Sequence, residues 1–323
     1  MLKRKIFLLG SFLLVFTILG SVFVKNDMAY AKKCQPLQVK GTKIVTAKGK
    51  EITLRGVSTH GIAWFPQYVN KEAFRSFQKM GANTIRLALY SDPAAGFQKT
   101  LYGKVEEGIK AATDLGMYVI VDWHILSDGN PKTNQSAAKE FFTHFAKKYA
   151  SQKNIIYEIC NEPNGNVTWE KDIKPYAQSM ISLIRKYDKN ALIIVGTPTW
   201  SQDVDVVANN PIKGEKNILY ALHFYAATHG DWIRKKLEVA HKKKLPVFVS
   251  EFSICDASGN GAINTKEAKK WMKLLKKYKI ARIAWSLCNK NETSALLKPS
   301  CKKTTKISKS DLSKTGKWIV KNW

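Results

Sequence analysis

The chain has 323 residues, 45% of them hydrophobic, and carries 53 Lys and Arg against 25 Asp and Glu, a formal net charge of +28. That length fits one large α/β barrel. None of the five cysteines, at 34, 160, 255, 288 and 301, forms a CxxC pair, which argues against zinc ligation, and the odd count leaves any disulfide pairing open. Only seven of the basic residues are arginine. The lysines read as scattered along the chain with no nucleic-acid motif beside them, so the expectation is a solvated lysine-rich exterior rather than an anion-binding face.

The first 31 residues stand apart. Lys3-Arg4-Lys5 forms a positive start, Ile6 to Val24 is almost wholly apolar, and Ala29-Tyr30-Ala31 offers a small-x-small cleavage site. The reading is an export signal, with an uncleaved membrane anchor as the alternative because the apolar run is long enough to span a bilayer. No second run of that length follows, and residues 32–323 read as one domain.

Lys43–Thr46 and Glu51–Leu54, around Ala47-Lys-Gly-Lys50, read as a small opening hairpin. Eight short β-rich runs then alternate with helical patterns: Leu54–Ser58, Thr84–Leu89, Tyr118–Asp122, Ile155–Ile159, Leu192–Gly196, Ile218–His223, Val247–Ser250 and Ile283–Leu287. Phe74, Phe77 and Met80 share one helical face, as do Ala177, Met180, Ile181 and Ile184. A last helix is expected from Asp311 to Trp323, capped by Ser310 or Asp311. Such alternation predicts parallel strands joined by helices, an eight-stranded (β/α)8 TIM barrel.

In such a barrel the chemistry sits where strands end. Those ends carry Thr59-His60, Arg86, Trp123-His124, Asn161-Glu162, Thr199-Trp200, His223 with Tyr225, Glu251 and Trp285. Taken singly, a glutamate there is a solvated loop residue and a tryptophan is core; the joint occurrence around one rim is what carries the argument. Two carboxylates with aromatic platforms suit cleavage of a glycosidic bond: one protonates the leaving oxygen, the other attacks the anomeric carbon or activates water. The opposed protonation states are attainable because a negative charge raises the pKa of its neighbour.

Asn161-Glu162-Pro163 at the fourth strand and Ser250-Glu251-Phe252 at the seventh resemble the signature of glycoside hydrolase family 5, and of its bacterial endoglucanases (cellulases) in particular. Gly56-Val-Ser-Thr-His-Gly61 with Trp64, Asn83-Thr-Ile-Arg86, Val121-Asp-Trp-His124, His223-Phe-Tyr225 and Trp285-Ser-Leu fall in the family's order, and the resemblance runs from about Gln38 to the C-terminus. It implies a retaining endo-1,4-β-glucanase with Glu251 as nucleophile and Glu162 as acid and then base. It also implies that Arg86 and Tyr225 hold Glu251, that His223 lies beside Glu162, and that Asn161 binds the sugar 2-hydroxyl. His60, His124 and Trp285 would line the subsite at the cleaved bond, Trp64, Lys290 and Glu292 would bind sugars toward the non-reducing end and Trp200 on the leaving side, with Tyr90 a further substrate-binding residue.

Cys288-Asn289 departs from the acidic or serine-containing turn more usual after Trp285-Ser-Leu, which bears on distal sugar contacts rather than on the chemistry. No separate carbohydrate-binding module is read, so weaker action on crystalline cellulose than on soluble glucan is expected. No metal or organic cofactor is implied, and a monomer acting on β-glucan without nucleic acid is expected. The rivals are a related mannanase, mixed-linkage glucanase or xyloglucanase, a binding barrel that has lost catalysis, and a basic surface protein that binds anionic polymers.

Overall fold

Between Arg55 and Leu287 the chain forms eight short strands in which every residue except Arg55 is buried. Burial on both faces is what a parallel sheet demands when helices cover one side and a packed interior fills the other. The computed structural model describes residues 34–323, so the expected export segment at 1–31 lies outside the described residues. Among the described residues no helix is long and apolar enough to cross a membrane.

A hairpin of β1 (Leu37–Lys40) and β2 (Lys43–Thr46) comes first. The barrel strands are β3 (Arg55–Thr59), β4 (Thr84–Tyr90), β5 (Tyr118–His124), β6 (Ile155–Glu158), β7 (Leu192–Val195), β8 (Ile218–Tyr225), β9 (Val247–Ser253) and β10 (Arg282–Leu287). They pair in chain order, all parallel, and β10 closes on β3. The helices are α1 (Lys71–Lys79), α2 (Tyr102–Asp114), α3 (Gln135–Lys148), α4 (Lys174–Arg185), the short α5 (Pro198–Ser201) and α6 (Val204–Val207), α7 (Asp231–Lys242), α8 (Thr265–Tyr278) and α9 (Lys314–Asn322). This is the (β/α)8 barrel expected.

Alternate residues of each strand divide two cores, because strand side chains alternate faces. Ile120, Ile156, Ile194, Leu219, Phe248 and Ile283 fill the barrel, and Leu37 and Ile44 of the hairpin join this inner cluster. Ile85, Leu87, Val121, Tyr157 and Ile193 face outward into the helical layer, meeting Phe74 and Phe77 of α1 and Met180, Ile181 and Ile184 of α4. Each such buried aliphatic or aromatic side chain contributes roughly 1.5–3 kcal/mol.

Three local expectations change. The hairpin pairs β1 with β2, and the expected 51–54 partner contributes only an isolated Val45–Glu51 bridge. The two-residue loop Gly41-Thr42 explains the shift: Gly41 sits at φ 59°, the left-handed conformation such tight hairpin loops require. The last helix starts at Lys314 with Ser313 as its cap, accepting from the Gly316 amide. Asp311 instead closes a capping box with Ser308 on a separate 3-10 turn. Finally, β5, β8 and β9 run on to His124, Tyr225 and Ser253, because Tyr90 pairs with His124 and Tyr225 with Ser253 at the rim.

Candidate active site

The inward column of β5 reads Tyr118, Ile120, Asp122, His124 from base to rim, and that of β8 reads Leu219, Ala221, His223, Tyr225. Each column is apolar at the base and polar at the top, so the interior changes from packed core to chemistry within one barrel. On β9 the register shifts between Ala221–Phe248 and His223–Glu251 pairing. This bulge lets neighbouring side chains reach inward together, Ser250 Oγ lying 2.9 Å from His223 Nε2 and Glu251 facing Arg86 and Tyr225.

Arg86, fully buried on β4, is the hub. Its guanidinium reaches Glu158 at 2.7 Å, Asp122 at 3.0 Å and Glu251 at 3.2 Å, and donates to Asn161 Oδ1 at 2.6 Å. Burial opposes its charge, but the three carboxylates outweigh burial and raise its pKa further. Tyr225 donates its hydroxyl to the other oxygen of Glu251 at 2.8 Å. Burial and then the charge of Glu251 push the Tyr225 phenol well above its ordinary value, so it remains a donor. Both oxygens of Glu251 are therefore held.

His223 bridges to the other glutamate. Its Nδ1 lies 2.8 Å from Glu162 Oε1, and its Nε2 lies 3.8 Å from Glu158. Burial disfavours the imidazolium, yet hydrogen bonds with Glu158 and Glu162 prevail and raise His223 to about 9. Burial likewise works against the Glu158 charge, and Arg86 with His223 overturns it, pulling Glu158 down to about 2. His124 goes the other way: burial, reinforced by Arg86, lowers it to about 3. Because Arg86 fixes Asn161 Oδ1, the Asn161 amide faces His124 Nε2 at 3.3 Å, which leaves the His124 proton on Nδ1, donated to Asp122 at 2.7 Å.

Above this layer opens a cleft of about 710 Å³ lined by His60, Trp64, Tyr90, His124, Glu162, Trp200, Tyr225, Glu251, Trp285, Lys290 and Glu292, among others. One oxygen from each of Glu162 and Glu251 lies within 4.8 Å of the other, with a His223 nitrogen equally close. Trp285 stacks on His124 at 5.1 Å, and Tyr90 packs against His124 at 4.3 Å and Trp64 at 4.7 Å. Trp64 and Trp200 are 47% and 44% exposed, open aromatic faces on the cleft wall. Lys290 pairs with Glu292 at 2.6 Å, and Glu292 approaches His60 at 3.7 Å.

All fourteen residues expected from the sequence thus gather at one end of the barrel, but Arg86, Asn161 and His223 lie beneath the cleft rather than on its wall. Asn161 is fully buried, its amide engaged by Arg86, His124 and the Ile125 carbonyl. Trp123 turns outward against Phe97 and Phe141 and belongs to the helical layer. Sequence reasoning missed Asp122 and Glu158, opposite one another in the β5–β6 register. The available signal was a charged residue inside each of two runs otherwise buried on both faces.

The family model for cellulase (glycosyl hydrolase family 5) matches residues 45–291. The chain belongs to glycosyl hydrolase family 5. It is a glycoside hydrolase. An endoglucanase of Clostridium saccharobutylicum is 41% identical over 319 residues, covering 98% of this chain and 71% of that protein. Endoglucanase N of Pectobacterium atrosepticum is 43% identical over 286 residues, 88% of this chain and 64% of that one. Among solved structures, the catalytic domain of Thermobifida fusca endoglucanase Cel5A superposes with a TM-score of 0.83 at 36% identity, covering 88% of this chain and 96% of that chain. A second structure of that domain, in complex with cellotetraose, matches with a TM-score of 0.80 at 35% identity, covering 88% and 96%.

Two groups in this family 5 site have metal-like proximity: Glu162, His223 and Glu251, and His60, Cys288 and Glu292. In the first, both Glu251 oxygens already face donors from Arg86 and Tyr225. In the second, the Gly61 amide donates to His60 Nδ1 at 2.7 Å, so the neutral ring carries its proton on Nε2, the nitrogen that faces Glu292. Burial, then Lys290, lowers His60 to about 3 and keeps that ring neutral.

Proposed function

We propose that the protein is an exported endo-1,4-β-glucanase that cleaves internal bonds of cellulose-type glucans with retention of anomeric configuration. The observation that carries this reading is the approach of Glu162 and Glu251 oxygens to within 4.8 Å across an aromatic-lined cleft. Retaining pairs stand roughly 5–5.5 Å apart, whereas inverting pairs need about 6.5–9.5 Å to admit water. The substrate class is supported by the endoglucanase relatives and by the cellotetraose bound to the Thermobifida domain. Export is supported by the Lys3-Arg4-Lys5 start, the apolar run and the Ala29-Tyr30-Ala31 site.

In the first step a Glu251 oxygen bonds to the anomeric carbon while the glycosidic C–O bond breaks, and Glu162 gives its proton to the departing oxygen. Arg86 and Tyr225 hold the Glu251 carboxylate for that attack. In the second step Glu162 takes a proton from water, the new C–O bond forms at the same carbon, and the ester bond to Glu251 breaks. His60, Trp64, Tyr90, His124, Trp200, Trp285, Lys290 and Glu292 bind the sugars along the cleft.

The test is a substrate panel of carboxymethyl cellulose, mixed-linkage β-glucan, mannan and xylan, with the first-formed anomer read by NMR. Preference for the two glucans with β-anomer released first is expected, and Glu251→Gln abolishes turnover. Release of the α-anomer, or a Glu251→Gln enzyme with ordinary turnover, refutes the mechanism.

A further inference from the structure

The positive charge is not spread evenly, which corrects the reading of lysines scattered along the chain. Residues 231–323 hold 23 basic and 7 acidic side chains, whereas residues 34–230 hold 24 and 17. The densest part is α8. Lys266, Lys269, Lys270, Lys273, Lys276 and Lys277 are all exposed, at spacings of three and four that bring them onto one side of the helix. Its other side, with Ala268, Trp271, Met272, Leu274 and Leu275, is buried. Among the described residues only Lys270 of these six has a carboxylate partner, Glu267 at 2.7 Å. Like charges at such spacings repel along a helix, and an anionic ligand relieves that repulsion.

Helix α7 packs beside α8 and carries exposed Lys235 and Lys242, with Lys243 just past its end donating to Asn209 Oδ1. At its start Trp232 is 50% exposed, with the Lys236 ammonium 5.5 Å from its ring centre. Trp232 also stands edge-on to His229 at 5.6 Å, and His229 lines the cleft. An open indole face therefore joins the cleft rim to a lysine-covered flank.

We propose that the α7–α8 flank is a second binding surface that takes an acidic, carboxylate-bearing polysaccharide, with Trp232 as the platform for a sugar ring and the α8 lysines as partners for its carboxylates. The residue types fit this class. Lysine offers mobile point charges that pair with anionic groups spaced along a flexible chain, and the exposed indole of Trp232 offers a face for a sugar ring, whereas a planar bidentate grip on single carboxylates or phosphates belongs to arginine. The two arginines of this region are unavailable: Arg234 pairs with Asp231 and Glu267, and Arg282 is buried. Tyr278 at the end of α8 is half-buried and stacked on His241, which leaves Trp232, among the described residues, as a lone open ring on this flank, whereas single-stranded nucleic acid is held by a succession of stacking aromatics. Trp232 and Val239 are the large apolar side chains exposed on α7, too little surface to seat in a bilayer. Bound along the barrel wall, such a polymer holds the enzyme on a mixed, acidic cell-wall material while the cleft at the barrel's end stays open for a neutral glucan. The proposal is independent of the roles assigned to Glu162 and Glu251.

The experiment measures binding of the whole protein to polygalacturonate in roughly 0.02 M and 0.5 M salt, where screening lengths are long and short. Binding is expected in low salt and lost in high salt. Replacing Lys266, Lys269, Lys273, Lys276 and Lys277 together with Gln should weaken it roughly tenfold or more, as expected for loss of several charge contacts. Trp232→Ala should weaken it severalfold, and the five-lysine variant should hydrolyse soluble neutral β-glucan at the wild-type rate. A control replaces five lysines elsewhere, Lys110, Lys139, Lys147, Lys148 and Lys153, with Gln and should bind as wild type does. Equal weakening in that control would reduce the effect to net charge and overturn the proposal. So would binding to duplex DNA or anionic vesicles without binding to polygalacturonate, or unchanged binding in the α8 variant.

Discussion

His223 Nδ1 lies 2.8 Å from Glu162 Oε1 while its Nε2 lies 2.9 Å from the Ser250 hydroxyl, so one imidazole joins the proposed acid to the strand that carries the proposed nucleophile. The ring is buried, which disfavours its charge, but Glu158 and Glu162 raise it from 6.5 to about 9. A raised folded-state pKa stabilises the fold fully below the unfolded value and progressively less as pH rises through the folded one. Stability therefore declines by roughly 3 kcal/mol between about pH 6.5 and 9 from this group. Urea unfolding across that window should show the decline in wild type and a flat response in His223→Gln; matching slopes would remove His223 from this role.

Glu158 touches no sugar-facing surface, yet it holds Arg86 at 2.7 Å inside the barrel. Glu158→Gln preserves shape and removes a charge, leaving Arg86 and His223 underpaired, and should cost about 3–5 kcal/mol of stability. The sign with pH is opposite to that of His223. Glu158 is lowered from 4.5 to about 2, so its contribution is complete above 4.5 and disappears as pH falls through about 2. Acid unfolding of wild type against Glu158→Gln should converge toward the lowest pH, and parallel curves would contradict the assignment.

Trp64 and Trp200 are nearly half exposed on the cleft wall, so truncating them removes little core packing. Trp64→Ala and Trp200→Ala should melt within a few degrees of wild type while kcat/KM on long glucans falls roughly tenfold, about 1.4 kcal/mol of lost transition-state binding. Unchanged kcat/KM would take these rings out of the binding path.

Gly196 follows β7 and lies against the turn that bears Glu162. A Cβ there would stand 2.3 Å from the Cys160 carbonyl oxygen and 2.9 Å from Pro163 Cδ. Gly196→Ala must displace Asn161-Glu162-Pro163 or the end of β7. The expected result is a loss of about 1–3 kcal/mol from overpacking, with kcat reduced on the order of a hundredfold because a misplaced catalytic group loses its alignment. Wild-type kcat would show that the turn can move without consequence.

The alternation of short β-rich runs with helical periods was enough to predict the barrel, because strands buried on both faces and helices buried on one leave different marks in the order of residues. The rim residues were equally readable, since chemistry at the C-terminal ends of strands interrupts an apolar run. The loop at Trp200 was harder to read. Thr199, Trp200 and Ser201 all sit at positive φ, 54–56°, held where the Trp200 amide donates to the Pro163 carbonyl and Ser201 Oγ to that of Asn161. None is glycine, so nothing in the local composition announces a left-handed turn; the contacts with the Glu162 segment impose it.

By itself, then, the order of residues determined the barrel and the sequence of its strands and singled out two strand-end glutamates as candidates, because these depend on local periodicity and on which side chains can ionise. Only tertiary structure decided that Asp122, Glu158 and Glu251 share one guanidinium and that a bulge in β9 sends Glu251 inward beside Ser250. Closing eight strands brings residues far apart in the chain to within hydrogen-bonding distance. Which of them meet depends on register across the sheet, a property of paired strands that no single strand contains.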